Sequence, residues 1–559
     1  MTGRRRRWLA GLAAATLVVV GVAVATLRGG GADDPGPQQV EVREGGTVRE
    51  GGTVRVASTI EVTGFNPNTS EDSGPAVQDI AATVYPSVFR VHPDFSVRLD
   101  QTFMVAAELT SQDPQTITYR IRPEARWSDG VPITAADFRY LWQHLNGTNP
   151  RTDAATTTGY DRIEQVTGSG DRKTVTVVFD QPFAEWKSLF ANLLPAHHVR
   201  RQPGGWNNGL DKHPEKIPSG GPFRIAGFRP GETVTLKRND RYWGPRAHLD
   251  RIVTRLVPDS DAQLDALRNR EADLIRPQPT TDLINHVRQL PGVRSQALPR
   301  MGFEHLTFNL KHPILAELAV RQAIATAIDT EQLVDRLLRP VDPNAQPLGN
   351  RIWLASQQPY QDHAGGYGKG DTQAARLLLE QAGWRLGGDG VYAMGGKPLR
   401  LRCLTFSGDQ LRTSEDVLLQ AQLAKAGIRL ELIARRMTTV YDWVYDGNFD
   451  IADVASIGNP FVLSGSQETY RTAGSGNPGR FSDPEVDDLF QRATGELDPA
   501  RAADLGNEID RRLWAQLPSI PLYQPHGFLA WRQDLVNVEH NTTTEGPFWN
   551  AGTWWFAKA

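Results

Sequence analysis

Ser219–Leu274 reads SGGPFRIAGFRPGETVTLKRNDRYWGPRAHLDRIVTRLVPDSDAQLDALRNREADL, and its punctuation sets the order of elements in this chain. Gly220-Gly221-Pro222 opens a turn before a short strand, Phe223–Ile225. Pro230-Gly231-Glu232 makes a second turn, since proline presets φ and glycine tolerates positive φ. Thr233–Lys237 then alternates apolar and polar, the pattern of a strand with one buried face. Asn239–Trp243 is an aromatic-bearing loop, and Ile252–Val257 is a third strand. Asp259 stands as N-cap of a helix with Leu264 and Leu267 on one face, and Ala272-Asp273-Leu274 begins another strand. No catalytic group falls in this block; it is scaffold.

The chain has 559 residues, more than one ordinary core serves, so two or three lobes are expected. Hydrophobic residues at 39% and charged residues at 22% place it among soluble globular proteins, not disordered chains. A formal net charge of −3, with no basic stripe interleaved with aromatics, argues against nucleic acid as a partner. The 14 Trp and 12 Tyr would suit a cleft that grips by apolar contact, although core packing accounts for most of them. Cys403 is the sole cysteine, so neither an intrachain disulfide nor a Cys-based metal centre is expected. In the alternating run Leu399–Phe406 it reads as a small buried apolar residue.

Upstream, Met1–Leu27 reads as an export segment, with Arg4–Arg7 as a positive start and Leu9–Leu27 as an uncharged apolar run. The run is long enough to span a bilayer. Segment 1–28 is therefore either a cleaved signal peptide, with a small-x-small site at Ala23-Val24-Ala25, or a retained anchor with the body outside. Residues 29–52 form a linker rich in Gly, Pro and Asp. The string EGGTVR occurs at Glu44–Arg49 and again at Glu50–Arg55, and only the second copy is expected to enter a strand, Thr53–Ala57. A helix is expected over Asp79–Phe89, a hairpin over Val91–Val97, and strands at Ile117–Ile121 and Lys173–Phe179. Thr134 is a good N-cap with Asp137 at N3, ahead of Phe138, Leu141 and Leu145 on one helical face.

Downstream, Glu304–Leu310 reads as a strand, and VRQAIATAID (320–329) is an amphipathic helix. Asp329 and Gln332 frame a capping box for the next helix, which stops before Pro340. Helices Ala374–Ala382 and Glu415–Ala426, closed by Gly383 and Gly427, alternate with strands Leu399–Phe406 and Ile428–Ala434. That alternation predicts an α/β lobe with a largely parallel sheet. Asp483–Gly495 and Pro499–Gln516 are two further helices.

Several strings together resemble the extracellular solute-binding proteins of family 5, which include the dipeptide-, oligopeptide- and nickel-binding subunits of ABC importers. They are GGTVRVA (51–57), WSDG (127–130) with PITAADF (132–138), LPAHH (194–198), GGPF (220–223), LKRNDRYW (236–243), EHLTFNL (304–310), VRQAIATAID (320–329) and PSIPLY (518–523). Glu271-Ala272-Asp273 departs slightly from the family's Gly-x-x-Asp. The resemblance implies an α/β, two-lobed periplasmic-binding-protein fold of class II, with an extra domain in the N-terminal half and hinge closure around the ligand. Lobe I would comprise 53–85, 206–305 and 525–559, the extra domain II 86–205, and lobe III 306–524. It further implies an extracytoplasmic receptor, a monomer, that captures peptides between lobes I and III for a membrane permease and its ATPase. Two other readings stay open. One is a binder of haem, a nickel chelate, a sugar or another small solute on the same fold. The other is a membrane-tethered interaction protein that has lost import. Many relatives are lipoproteins held by a Cys after the apolar run; with no Cys there, this chain is expected to be exported to the cell envelope and not lipidated.

No enzymatic activity is expected, because G-x-S-x-G, H-E-x-x-H, Walker A and G-x-G-x-x-G are all missing, and no catalytic residue, metal or cofactor is assigned. Adjacent His197 and His198 would point apart on regular structure. In family peptide binders an Asp in W-x-A-D-Y-x-x-P anchors the ammonium. Asn448–Phe461 (NFDIADVASIGNPF) occupies that place here, and Ile457-Gly458-Asn459-Pro460 replaces the Trp-to-Asp portion. Asn459 can hydrogen-bond but cannot neutralise charge, which favours a longer or blocked peptide or a non-peptide solute. Asp453 and Glu304 are candidate substitutes, with ordinary structural roles as the alternative. The wall implied by the resemblance consists of Thr63, Gly64, Phe65, Asn66, Trp127, His305, Asn309, Asn459 and Phe461, with Arg321 structural.

Overall fold

The computed structural model describes residues 47–474 and 476–558, so the export segment and most of the linker lie outside the described residues. The turns of the central stretch deliver three antiparallel strands, Phe223–Arg229, Thr233–Arg238 and Arg251–Leu256. Leu236 sits across the ladder from both Ile225 and Ile252, and all three are buried. Asp259 caps helix Ser260–Arg268 by accepting from the Ala262 amide at 2.7 Å. The completed seven-stranded sheet runs in the order 293–299, 526–532, 274–276, 53–58, 251–256, 233–238, 223–229. Strand Thr53–Ser58 lies parallel to both neighbours, while His526–Arg532 inserts antiparallel from the C-terminal end.

Two expectations shift here. The first EGGTVR copy also enters a strand: Val48–Arg49 pairs with Trp555–Ala557, whose free edge offers it a partner. The first helix is Pro75–Val84, earlier than 79–89. Pro75 suits the first helical position, and Tyr85 turns extended (φ −107°, ψ 135°) because Pro86 follows it.

A four-stranded antiparallel sheet of 104–112, 115–121, 174–179 and 163–168 carries helix Ala135–Leu145. The capping box forms as read, with the Thr134 amide donating to Asp137 at 2.9 Å and the Thr134 hydroxyl accepting from Ala136. Phe103, Trp127 and Phe138 from this part share one apolar core with Val54 and Leu274 of the first sheet.

The five-stranded sheet has the order 429–435, 400–406, 451–457, 302–308, 519–523. It is mixed, not largely parallel. Its first three strands are mutually parallel, but Gly302–Phe308 is antiparallel to both neighbours. The physical reason is that Gly302–Phe308 arrives by a direct crossing from the first sheet and Ser519–Tyr523 leaves by one, so neither connection is a helical crossover. Helix Gln410–Lys425 starts at Asp409, ahead of the expected 415. Its first turn buries Arg412 instead of apolar residues, so periodicity misses it. This lobe has its own large core, including Leu306, Phe308, Ile324, Leu401 and Cys403.

The two large cores do not merge, and two neighbouring crossings join the sheets, at 299–302 and 523–526. The Arg300 amide donates to Pro525 O at 2.7 Å, and Gln524 Nε2 donates to Arg300 O at 2.8 Å. Gly302 (φ 154°) lies so close to Ser456 O that a Cβ would collide with it. A pair of strands between two independent cores is the arrangement of a hinge. Among the described residues no helix is long and apolar enough to cross a membrane.

Candidate functional site

Strand Gly302–Phe308 has period two, and its two faces meet different surroundings. Phe303, His305 and Thr307 face a cavity of about 720 Å³. Leu306 and Phe308 enter the lobe's core, and Glu304 turns to the same side. Ser456 of the neighbouring strand, Asn459, Phe461 and Tyr470 continue the cavity wall, and Ser70 and Ser73 approach from the other lobe. The volume lies in the usual range for small-molecule sites.

The wall is polar but close to neutral. His305 Nδ1 is 3.0 Å from the Thr307 hydroxyl and Nε2 is 3.1 Å from the Ser456 hydroxyl. Burial, with Arg412 and Arg351 adding repulsion, pushes its pKa down to about 3, so the imidazole is neutral at physiological pH. Arg351 is fully buried and already engaged: its guanidinium donates to Ser519 O at 2.5 Å, lies 3.5 Å from Asp510 and stacks 4.1 Å above the Trp514 ring. Among the described residues no Asp or Glu lines this cavity.

Glu304 and Asp453, the candidate substitutes for the missing Asp, lie behind the sheet. Arg412 reaches Glu304 at 2.5 Å and Asp453 at 3.3 Å. Glu415 accepts from the Tyr523 hydroxyl at 2.6 Å, and Asp416 accepts from the Thr405 hydroxyl at 2.6 Å. Burial raises the pKa of all four acids above the ordinary carboxylate range. They form an internal network, with Arg412 the guanidinium that pairs with Glu304 and Asp453.

Of the residues singled out from sequence, His305, Asn459 and Phe461 come together at the cavity. The others lie elsewhere. The Thr63 hydroxyl donates to Asp72 at 3.0 Å, and Gly64 packs against the same carboxylate, leaving no room for a Cβ. Phe65 is buried edge-on against Phe228 at 4.9 Å, and Asn66 Nδ2 donates to Trp206 O at 2.7 Å. This loop braces the segment that carries Ser70 and Ser73. Trp127 is fully buried in the first lobe's core, and Asn309 Nδ2 donates to Gly447 O and Phe449 O. Arg321 donates to Leu315 O and Gln516 O, at 2.7 Å each, as an internal clamp. Ser70, Ser73 and Tyr470 had no sequence signal beyond polarity. A second cavity of about 340 Å³ shares Asn459, Phe461 and Gly465 with the first. Among the described residues no group of three or more His, Cys, Asp and Glu is placed to hold a metal ion.

Residues 103–477 match the family described as bacterial extracellular solute-binding proteins, family 5, middle. The chain is 34% identical over 486 residues to the oligopeptide-binding protein OppA of Mycobacterium tuberculosis, covering 85% of this chain and 81% of that protein. It superimposes on the periplasmic EDTA-binding protein EppA with a TM-score of 0.88 at 31% identity, covering 92% of this chain and 98% of the other. An uncharacterised lipoprotein of Mycobacterium leprae is 25% identical over 478 residues, covering 79% of this chain and 82% of that protein. That relative's name conflicts with the expectation that this chain is not lipidated. The sole cysteine, Cys403, is fully buried in strand Arg400–Phe406.

Proposed function

We propose, since the chain belongs to the bacterial extracellular solute-binding proteins of family 5, that it is the capture subunit of an ABC importer for peptides. In this reading the solute enters between the seven-stranded and five-stranded sheets, and the lobes rotate about the two crossings. The closed form is then presented, as a monomer, to a membrane permease and its ATPase. No bond is made or broken. The lobe boundaries read from sequence serve as the working division, and the export segment holds the body at the outer face of the membrane or is removed.

The observation that carries the reading is the cavity of about 720 Å³ beside the crossings, lined from both lobes by polar and apolar groups and by Arg351, whose charge Asp510 offsets. Its neutrality supports main-chain hydrogen bonding to an extended solute over recognition of one fixed charge. A second reading, a non-peptide solute, draws support from the missing carboxylate and from the similarity to an EDTA-binding protein. Native mass spectrometry of the exported protein, gently desolvated and then denatured, separates the two. A ladder of released peptide masses is the expected result; one discrete non-peptide mass would replace the peptide reading with the second.

A further inference from the structure

The smaller cavity lies where the four-stranded sheet's domain meets the five-stranded lobe, and it shares Asn459, Phe461 and Gly465 of its lining with the larger one. Its acidic and basic lining groups are Lys187, Glu468 and Glu545. Glu545 is bound to Arg90 at 2.8 Å, and Glu468 lies 3.8 Å from Arg471. Lys187 is different. Its ammonium stands 5.9 Å from the Phe89 ring centroid and 5.8 Å from that of Trp186, with no carboxylate partner among the described residues. Aromatic faces hold a cation in place without neutralising it.

The position of Lys187 is set by its neighbour. Glu185 is the residue before the short helical turn Trp186–Ser188, and its half-buried carboxylate accepts from the amides of Leu463 (3.0 Å) and Ser464 (2.9 Å) and from the Ser464 hydroxyl. Those donors open helix Val462–Tyr470, whose lead-in, Asn459–Phe461, is the boundary between the cavities. The same clamp therefore ties the segment bearing Lys187 to the shared wall.

We propose that the smaller cavity is a compartment for a carboxylate group, continuous with the larger one, in which Lys187 takes the negative end of an elongated solute. This rests on the capture reading above and adds its polarity. The larger cavity, without a carboxylate in its described lining, receives the neutral portion; Lys187 receives the charged end through a charge-assisted hydrogen bond. The shared chemistry is a carboxylate, whether it ends a peptide or belongs to a small polycarboxylate.

The test loads the full chain with three probes: N-acetylated pentapeptide mixtures free of Asp and Glu as C-terminal acids, the same mixtures as C-terminal amides, and EDTA. Calorimetry measures uptake by wild type, Lys187→Gln and Lys187→Arg. Wild type is expected to take the acids about tenfold more tightly than the amides. Lys187→Gln should remove that preference and leave amide binding unchanged, and Lys187→Arg should keep most of it. Equal affinity for acids and amides, or a preference that survives Lys187→Gln, overturns the compartment while peptide capture stands. Binding of EDTA alone, lost in Lys187→Gln, keeps the compartment and overturns the peptide reading. Binding of none of the probes overturns both.

Discussion

The front and back of strand Gly302–Phe308 are a few ångströms apart and chemically opposite. In front, His305 is neutral and shares its nitrogens with two hydroxyls at the cavity wall. Behind, Glu304 and three more acids crowd around Arg412. Both faces are buried, so burial does not explain the difference. What differs is the partner supplied from outside the strand: helix Gln410–Lys425 brings a guanidinium to one side, and Ser456, Asn459 and Tyr470 bring polar, uncharged groups to the other. An acid in the sequence is a ligand anchor only if it lies on the open face.

The largest effect that tests this contrast is Arg412→Met. It leaves Glu304 and Asp453 buried without their cation, and removing one partner of a buried pair costs about 3–5 kcal/mol. Urea unfolding should show that loss; a change below about 1 kcal/mol would mean the acids already hold their protons and need no cation. The same distinction between interior and wall separates Trp127 from Phe461. Trp127→Ala should cost about 3–5 kcal/mol of stability with solute affinity kept in the folded fraction. Phe461→Ala should weaken solute binding about tenfold, some 1.4 kcal/mol, with a much smaller change in unfolding midpoint. If both variants lose only stability, the cavity is not the binding site.

The smallest effects are the pH slopes, and they have opposite signs on the two faces. Asp416 is pushed up to about 6 from 3.8, chiefly by burial, so the folded state holds its proton more tightly than the unfolded chain does. Its contribution is full below about 4 and is lost as pH rises to about 6. His305 is pushed down to about 3 from 6.5, so the folded state resists its proton. Its contribution is full above about 6.5 and is lost as pH falls toward 3. Stability measured across this range should change slope in opposite directions in Asp416→Asn and His305→Gln. A common direction would show that both residues respond to one shared network.

Much of the fold was legible because it rests on local chemistry. Pro230-Gly231-Glu232 imposes a turn, Asp259 and Thr134 satisfy free helix amides, and alternation marks Thr233–Arg238, all within a few residues of chain. Less was legible where a distant partner compensates. Helix Gln410–Lys425 hides its first turn because Arg412 is buried by ion pairing, and Val48–Arg49 becomes a strand only because Trp555–Ala557 offers an edge. The site divides the same way. Asn459 stood out as part of a departure from a family pattern and Phe461 ends the same stretch, whereas Ser70, Ser73 and Lys187 gave no signal, since each matters only through what faces it across a cleft.

By itself, then, the sequence determined most of the order of strands and turns, the membership of the family and the departure from its usual string at Ile457–Pro460, because these depend on residue type and short spacing. Only the tertiary structure decided that Glu304 points inward and His305 outward, that the third sheet is mixed, and that Lys187 stands without a carboxylate partner among the described residues. Period-two alternation says that neighbours oppose each other; it takes the packed helix on one side to say which of them meets the solute.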